Sequence, residues 1–274
     1  LPWELLNEKK IFISGASGMI SSVIIDILMK RNREYGQKIH IYAISRREQK
    51  ARKRFELYWD NPLFTYISHD INCPLPELGN MDFMLHAASN THPNAYATDP
   101  IGTILANVQG TYQLLDYASM HQCERFFFFS SVEIYGENKN DVNKFSEDYL
   151  GYIDCNTTRA GYCNAFATQK EQDFIIGRFS RVYGPTMSLE DSKAIAQFIK
   201  KAVAGEDIVL KSEGNQLYSY TYVVDAATAA LYLLLKGENG SAVNVADNAS
   251  DIKLKDLAKL FAKDLSKKDI CIIS

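Results

Sequence analysis

A chain of 274 residues, 46% hydrophobic and 23% charged, has room for one large α/β domain, or for a cofactor domain carrying a smaller lobe. A formal net charge of −3 and a pI near 6.0 give no global attraction to nucleic acid or to anionic membranes, and no apolar stretch reaches membrane-spanning length. Five cysteines (Cys73, Cys123, Cys155, Cys163 and Cys271) are odd in number and lack CxxC spacing, so neither a disulfide framework nor a metal site is expected, and a reducing cytoplasm is the expected setting.

The predicted elements alternate between strands and helices, the mark of βαβ units and a parallel sheet. Lys10–Ser14 is a short apolar strand, and Met19–Lys30 follows with apolar residues at helical spacing. Ile39–Ile44 is the second strand. The basic run Arg46, Arg47, Lys50, Arg52, Lys53 and Arg54 comes next, read as a solvated helix face with contact to a cofactor phosphate as the sharper alternative. Phe64–Ser68 and Phe83–His86 are the third and fourth strands, and Ile104–Met120 is a long helix. Arg125–Ser130, with four consecutive phenylalanines, reads as a strand buried on both faces, and Phe174–Phe179 as the sixth strand. After Pro185 the alternation loosens. Helices are predicted over Lys193–Ala204, Ala226–Lys236 and Leu254–Leu265, with strands over Ile208–Lys211, Tyr218–Val223, Ala242–Val245 and Ile270–Ile273. With no internal repeat and no linker, the fold class expected is α/β: a doubly wound parallel sheet over residues 1–185, and over residues 186–274 a smaller, interwoven C-terminal lobe for substrate.

The first strand leads into Gly15-Ala16-Ser17-Gly18-Met19-Ile20-Ser21. Gly15 suits a tight turn, and Gly18 lets backbone approach a pyrophosphate at the positive end of the helix that follows. The Gly15-x-x-Gly18-x-x-Ser21 spacing resembles the short-chain dehydrogenase/reductase superfamily, in particular its extended epimerase/dehydratase branch acting on nucleotide sugars, with Ser21 in place of the third glycine. The resemblance implies a Rossmann-type cofactor domain in which Gly15, Ser17, Gly18, Met19 and Ile20 surround the dinucleotide. An acid usually closes the second strand to hold the ribose hydroxyls. Ser45 and Arg46 stand there instead, and a guanidinium suits a 2′-phosphate, which makes NADP the alternative; the resemblance implies NAD, because family members that recycle their cofactor internally usually hold NAD. Further motifs keep the family's order. Asp70-Ile71 resembles the segment that touches adenine, His86-Ala87-Ala88-Ser89 the turn lining the cofactor, with Ser89 toward substrate, and Asn107 the asparagine of the long helix that steadies backbone near the active site. His86 also fits a buried strand-end histidine.

Ser130-Ser131-Val132-Glu133-Ile134-Tyr135-Gly136 resembles the family's S-[ST]-x-x-x-Tyr-Gly segment, which implies that Ser131 hydrogen-bonds the sugar oxygen being oxidised. Glu133 matches dehydratases and UDP-glucuronate decarboxylases, whereas simple 4-epimerases have a small or neutral residue there. Dehydratases also require an aspartate immediately before it, and Val132 occupies that place. The proton-transfer residue implied is Tyr162, within Arg159-Ala160-Gly161-Tyr162. A lysine four residues on normally lowers the phenol pKa and holds the cofactor ribose, but Phe166 stands there and Lys170 is the nearest lysine. Two expectations follow. Either about ten residues are missing between Tyr162 and Cys163, since Cys163–Glu171 alone makes only about 13 Å of helix, or the protein binds a dinucleotide without catalysis. A start at Leu1 and a stop at Ser274 directly after an apolar run likewise read as an incomplete chain.

Arg178-Phe179-Ser180-Arg181-Val182-Tyr183-Gly184-Pro185-Thr186-Met187 is similar to the decarboxylase segment R-x-x-N-x-Y-G-P-R-M, and Tyr222-Val223-Val224-Asp225 to the family's Y-V-x-D. Arg181 replaces an asparagine, and Tyr218 replaces an arginine that clamps the nucleotide diphosphate. The expectation is that the charge has moved, with Arg181 now the diphosphate partner. The resemblance implies a UDP-glucuronate decarboxylase-like enzyme acting on a nucleotide-diphosphate sugar, with a 4-epimerase as the alternative. By analogy it also implies a homodimer packed through the helices near Ile104–Met120 and Tyr162–Glu171.

Overall fold

The computed structural model describes residues 1–89, 98–136, 138–139, 141–152, 172–188, 191–266 and 271–273. In chain order the elements are β1 (Lys10–Ser14), α1 (Met19–Tyr35), β2 (His40–Ser45), α2 (Glu48–Arg54), β3 (Phe64–Ser68), β4 (Phe83–His86), α3 (Pro100–Met120), β5 (Arg125–Ser131) and β6 (Phe174–Phe179). They continue with β7 (Arg181–Tyr183), α4 (Ala194–Ala204), β8 (Ile208–Val209), β9 (Leu217–Tyr218), β10 (Tyr220–Tyr222), α5 (Val223–Lys236), β11 (Ala242–Val245), β12 (Ile252–Lys253), α6 (Leu254–Leu265) and β13 (Ile272–Ile273). Seven strands form one parallel sheet in the order β11-β6-β5-β4-β1-β2-β3. The chain runs outward from β1 to β3, then crosses back to β4 and continues the other way. The strand order therefore reverses between β1 and β4, where such sheets hold ligands beyond the carboxyl ends of their strands.

Strands covered on both faces explain the unbroken apolar runs. Ile11 and Ile13 of β1 join the cluster containing Ile24 and Leu28 of α1 and Ala227 and Leu231 of α5. Phe12, between them, joins Leu114, Leu115 and Ala118 of α3 on the opposite face, as side-chain alternation along a strand requires. The four phenylalanines of β5 divide in the same way. Phe126 and Phe128 pack toward α3, Phe127 and Phe129 toward α1 and α5, and Phe129 stacks on Phe179 at 5.1 Å. A third cluster, built from Ile195, Phe198, Ile208, Leu210, Tyr220 and Leu257, forms the smaller C-terminal lobe. The lobe is interwoven with the sheet, because α5 packs on α1 and β11 returns to pair with β6. The α/β architecture is the one expected. Among the described residues no helix is long and apolar enough to cross a membrane.

Three local differences have physical causes. Helix α1 extends five residues past Lys30, to Tyr35, because its polar last turn is held by tertiary contacts that leave no apolar periodicity. Asn32 exchanges two hydrogen bonds with Ile39, at 2.8 and 2.9 Å, and the Arg31 guanidinium lies 3.7 Å over the Tyr35 ring. The stretch expected as one strand over Tyr218–Val223 divides at Ser219, whose hydroxyl donates to Asp247 O at 2.8 Å. On one side β9 pairs antiparallel with β12, and on the other β10 pairs parallel with β7. The basic run also divides. Arg54 is tied to Asp26 of α1 and Arg52 lies 4.4 Å over the Trp59 ring, while Arg46, Arg47, Lys50 and Lys53 are exposed.

The amino-terminal edge of the sheet is locked by Arg125. Its Nε and Nη2 reach the Asp173 carboxylate at 2.7 and 3.0 Å, and Nη1 caps α5 through Leu234 O and Gly237 O at 3.2 and 2.9 Å. Arg125→Ala leaves Asp173 and two helix carbonyls without their partner. Urea unfolding is expected to show a loss of ~2–3 kcal/mol; a loss below ~0.5 kcal/mol, the range of ordinary surface changes, contradicts this assignment.

Candidate functional site

The turns that follow β1 and β4 meet at the point of strand-order reversal. Gly15 has φ 63°, and a Cβ there would lie 2.8 Å from Ala87 O and 2.9 Å from Ala88 Cα. Only glycine satisfies both the left-handed backbone and the approach of the second turn. Gly18 donates to Gly15 O at 2.8 Å and opens α1 with no side-chain cap. The amino-terminal N–H groups of α1 are therefore free of any side-chain acceptor among the described residues, in a loop with no room for a β-carbon at Gly15 or Gly18. That cradle fits the pyrophosphate of a dinucleotide, with Ser17, Met19 and Ile20 on its helix side.

Beneath the cradle runs a buried hydrogen-bond chain. Ser14 Oγ accepts from Ala87 N and Ala88 N at 3.2 and 3.3 Å and lies 2.8 Å from His86 Nδ1. His86 Nε2 lies 3.0 Å from Thr111 Oγ1, whose proton goes to Asn107 O at 2.6 Å. These contacts fix the tautomer. The Thr111 proton is committed, so Thr111 accepts from His86 Nε2–H, and His86 Nδ1 accepts from Ser14. His86 is 2% exposed, and burial pulls its pKa down to about 3. The ring thus holds β1, the β4 turn and α3 together, while its neighbours Ala87 and Ala88 face Gly15. Sequence reasoning passed over Ser14 and Thr111; a polar residue closing the apolar run Ile11–Ile13 was the available signal for Ser14. The stability that neutral His86 contributes is complete above its unfolded pKa of 6.5 and is lost as pH falls toward 3, because in that window only the unfolded chain takes up the proton. The expected slope is ~1.4 kcal/mol per pH unit. Unfolding curves of His86→Asn between about pH 7 and about pH 4 should show about one proton less uptake than wild type, and an unchanged slope refutes this.

The other expected cofactor positions lie at or just past the carboxyl ends of β2, β3 and β4, and on α3. Asp70 Oδ1 accepts from Asn72 N at 3.0 Å, and Ile71 packs so closely on α3 that a Cβ on Gly110 would meet it at 2.6 Å. Asn107 Nδ2 is buried without a hydrogen-bond partner among the described residues. Such an orphan donor is costly unless a ligand or water satisfies it. At the end of β2, Ser45 Oγ lies 3.1 Å from Tyr66 OH, and the Arg46 side chain is exposed. Ser89 follows directly on the Ala87-Ala88 turn, half-buried.

On the other side of β4, Ser131 ends β5. Its Oγ accepts from Glu133 N at 3.2 Å, capping the short 3-10 helix Val132–Tyr135. As an acceptor in that bond, the hydroxyl keeps its own proton for another partner. Glu133 faces Arg181 of β7, with Oε1 3.6 Å from Nη2, and the Arg181 guanidinium lies 3.6 Å over the Tyr218 ring. Three positions singled out separately in the sequence are thus brought together. Behind them, the buried Tyr135 donates to Asn244 Oδ1 at 2.6 Å and accepts from Arg178 Nη1 at 2.9 Å. This brace of β5, β6 and β11 was not anticipated. Tyr162, the absent lysine and the expected break after Tyr162 fall within residues 153–171, outside the described residues.

A doubly wound sheet with a glycine cradle at its reversal point defines a dinucleotide-binding α/β protein. Residues 11–246 match the NAD dependent epimerase/dehydratase family, and the chain belongs to that family of NAD-binding, nucleotide-sugar-modifying enzymes. UDP-glucuronic acid decarboxylase 6 of Arabidopsis thaliana is 26% identical over 98% of this chain and 80% of its own length. UDP-glucuronic acid decarboxylase 1 of Xenopus tropicalis is 28% identical over 94% of this chain, which spans 62% of that relative. Among solved structures, UDP-N-acetylglucosamine 4-epimerase from Methanobrevibacter ruminantium M1, in complex with UDP-N-acetylmuramic acid, has a TM-score of 0.80 at 20% identity, covering 98% of this chain and 86% of its own. The dTDP-glucose 4,6-dehydratase DesIV of Streptomyces venezuelae, with NAD and TYD bound, has a TM-score of 0.81 at 19% identity over 96% of this chain and 84% of its own. At such identities the structural likeness carries the fold.

Proposed function

We propose that the chain decarboxylates a UDP-hexuronate such as UDP-glucuronate through a transient 4-keto sugar. The observation that carries this reading is Glu133, two residues beyond Ser131, facing a cation, with Val132 where dehydration needs an aspartate. A nicotinamide dinucleotide in the cradle supplies the reversible two-electron oxidation at sugar C4. Ser131 holds the C4 oxygen through its uncommitted proton, and Tyr162 takes the C4 hydroxyl proton. Once C4 is a ketone, the C5–C6 bond breaks, carbon dioxide leaves, and its electron pair delocalises onto the C4 oxygen. A proton is then added at C5 in place of the lost carboxylate, with Glu133 as the group that handles it, and return of the hydride to C4 gives the pentose. The relatives named decarboxylases support this assignment. The alignment to the Arabidopsis relative covers 286 positions, more than the 274 residues of this chain, which supports the reading that residues present in relatives are lacking within it.

Epimerisation at C4, which shares the oxidation and differs only in what the keto sugar does next, is the second reading. Incubation with UDP-glucuronate and NAD separates the two. UDP-xylose and carbon dioxide are expected, UDP-galacturonate instead establishes epimerisation, and no product favours a non-catalytic dinucleotide-binding protein, the role consistent with Phe166. NAD is the proposed cofactor. The exposed Arg46 leaves NADP as the alternative, and parallel titrations with the two dinucleotides decide it. A homodimer is proposed through α3, which exposes Ile101, Ile104, Leu105, Val108 and Tyr112 at helical spacing along one face; a monomer in sedimentation contradicts it.

A further inference from the structure

The three side chains that meet beyond β5 have unequal anchorage. Tyr218 ends β9, which is pinned to β12, and Arg181 opens β7, in register with Tyr220 of β10. The Arg181 N–H adds a bond to Ser219 O at 3.3 Å. The 3.6 Å stacking of guanidinium on ring is therefore set by two strand pairings, which make the Tyr218 ring a shelf for the cation. Glu133 is held less firmly. Its side chain is 52% exposed, and it meets Arg181 through one oxygen at 3.6 Å. An exposed ion pair of that length contributes little. Arg181 makes no side-chain hydrogen bond to any described residue, so its planar fork of donors is unspent while its position is fixed.

We propose that Arg181, shelved on Tyr218, reads an anionic group of the substrate and exchanges Glu133 for it on binding, which frees the Glu133 carboxylate beside Ser131. The proposal rests on the nucleotide-sugar reading above. A hexuronate carboxylate and a nucleotide phosphate share the chemistry that a guanidinium fork recognises, two oxygens on one anionic centre. It also joins the two departures from the decarboxylase pattern into one. The arginine lost at position 218 and the arginine gained at position 181 touch, so the tyrosine serves the relocated charge. Exchange makes Glu133 a competitor of the ligand. Removing it strengthens binding, whereas removing Arg181 or the ring beneath it weakens binding. A purely structural ion pair predicts neither sign.

The test is calorimetric titration of the NAD-loaded protein with UDP, UDP-glucose and UDP-glucuronate. Arg181→Ala is expected to lose about tenfold in affinity or more, Glu133→Gln to gain about threefold, and Tyr218→Leu to lose affinity where Tyr218→Phe does not. NAD titration of each variant shows that it is folded. A loss confined to UDP-glucuronate assigns the anion as the carboxylate, and an equal loss across the three ligands assigns it as the diphosphate. Wild-type affinity of Arg181→Ala for all three, or Glu133→Gln binding no tighter than wild type, overturns the proposal while leaving the proposed function standing. Wild-type protein that binds none of them overturns both.

Discussion

Gly15→Ala is expected to abolish measurable NAD binding and to lower stability by ~2–3 kcal/mol. Two costs add. A β-carbon in the left-handed region costs ~1–2 kcal/mol by itself. The same carbon would stand 2.8 Å from Ala87 O and 2.9 Å from Ala87 C, contacts with backbone that cannot rotate away. The Ala87-Ala88 turn cannot recede easily, because both N–H groups are tied to Ser14 Oγ and that hydroxyl is tied to His86. The strain must open the cradle, and with it the alignment of the N–H groups at the start of α1. Gly36→Ala is the control. Its φ is 67°, but its missing Cβ faces open space at the far end of α1. It should cost ~1 kcal/mol and leave NAD affinity unchanged. A Gly15→Ala protein that binds NAD like wild type contradicts the placement of the cofactor at the β1–β4 reversal.

Ser131→Ala is expected to lower turnover by about 10²–10³-fold while NAD affinity stays at the wild-type value. The hydroxyl has an observed duty and a proposed one, which the variant separates by magnitude. As the cap of Val132–Tyr135 it accepts one backbone N–H, and losing that bond costs ~1 kcal/mol of stability. In its proposed role as donor to the oxygen that changes charge during oxidation, it would act where a hydrogen bond counts most. Ser131→Thr keeps both the acceptor and the donor and should recover most of the activity. A Ser131→Ala protein with lowered thermal stability and undiminished turnover would mean that the residue is a cap alone.

Much of the fold was legible because its strands are short apolar runs between turn residues. Lys10–Ser14, Phe64–Ser68, Phe83–His86, Phe174–Phe179 and Ala242–Val245 form as predicted, as does α6. What was illegible depends on contacts distant in sequence. The polar end of α1 is helical because Asn32 reaches Ile39, and the break at Ser219 exists because Asp247 accepts its hydroxyl. β7 has only three residues and takes its pairing from β10, so no local pattern marks it. In the site, motif order located Gly15, Ser131, Glu133, Arg181 and Tyr218 one at a time. The moved charge paired Arg181 with Tyr218, but nothing indicated that Glu133 also meets Arg181, since the three come from a 3-10 turn and two different strand pairs. His86 shows the opposite limit. The sequence offered both a cofactor-lining place and a buried strand-end histidine, and the ring lies buried between Ser14 and Thr111 while its neighbours reach Gly15.

If sugar C4 is oxidised and restored within one turnover on the bound dinucleotide, its hydrogen must pass to the dinucleotide and back. Quenching single turnovers of UDP-glucuronate carrying deuterium at C4, and weighing the separated nucleotides, tests it directly. The dinucleotide is expected to gain the deuterium early in the turnover, and the mass to return to C4 of the sugar product. Product formed while the dinucleotide never gains mass would contradict it.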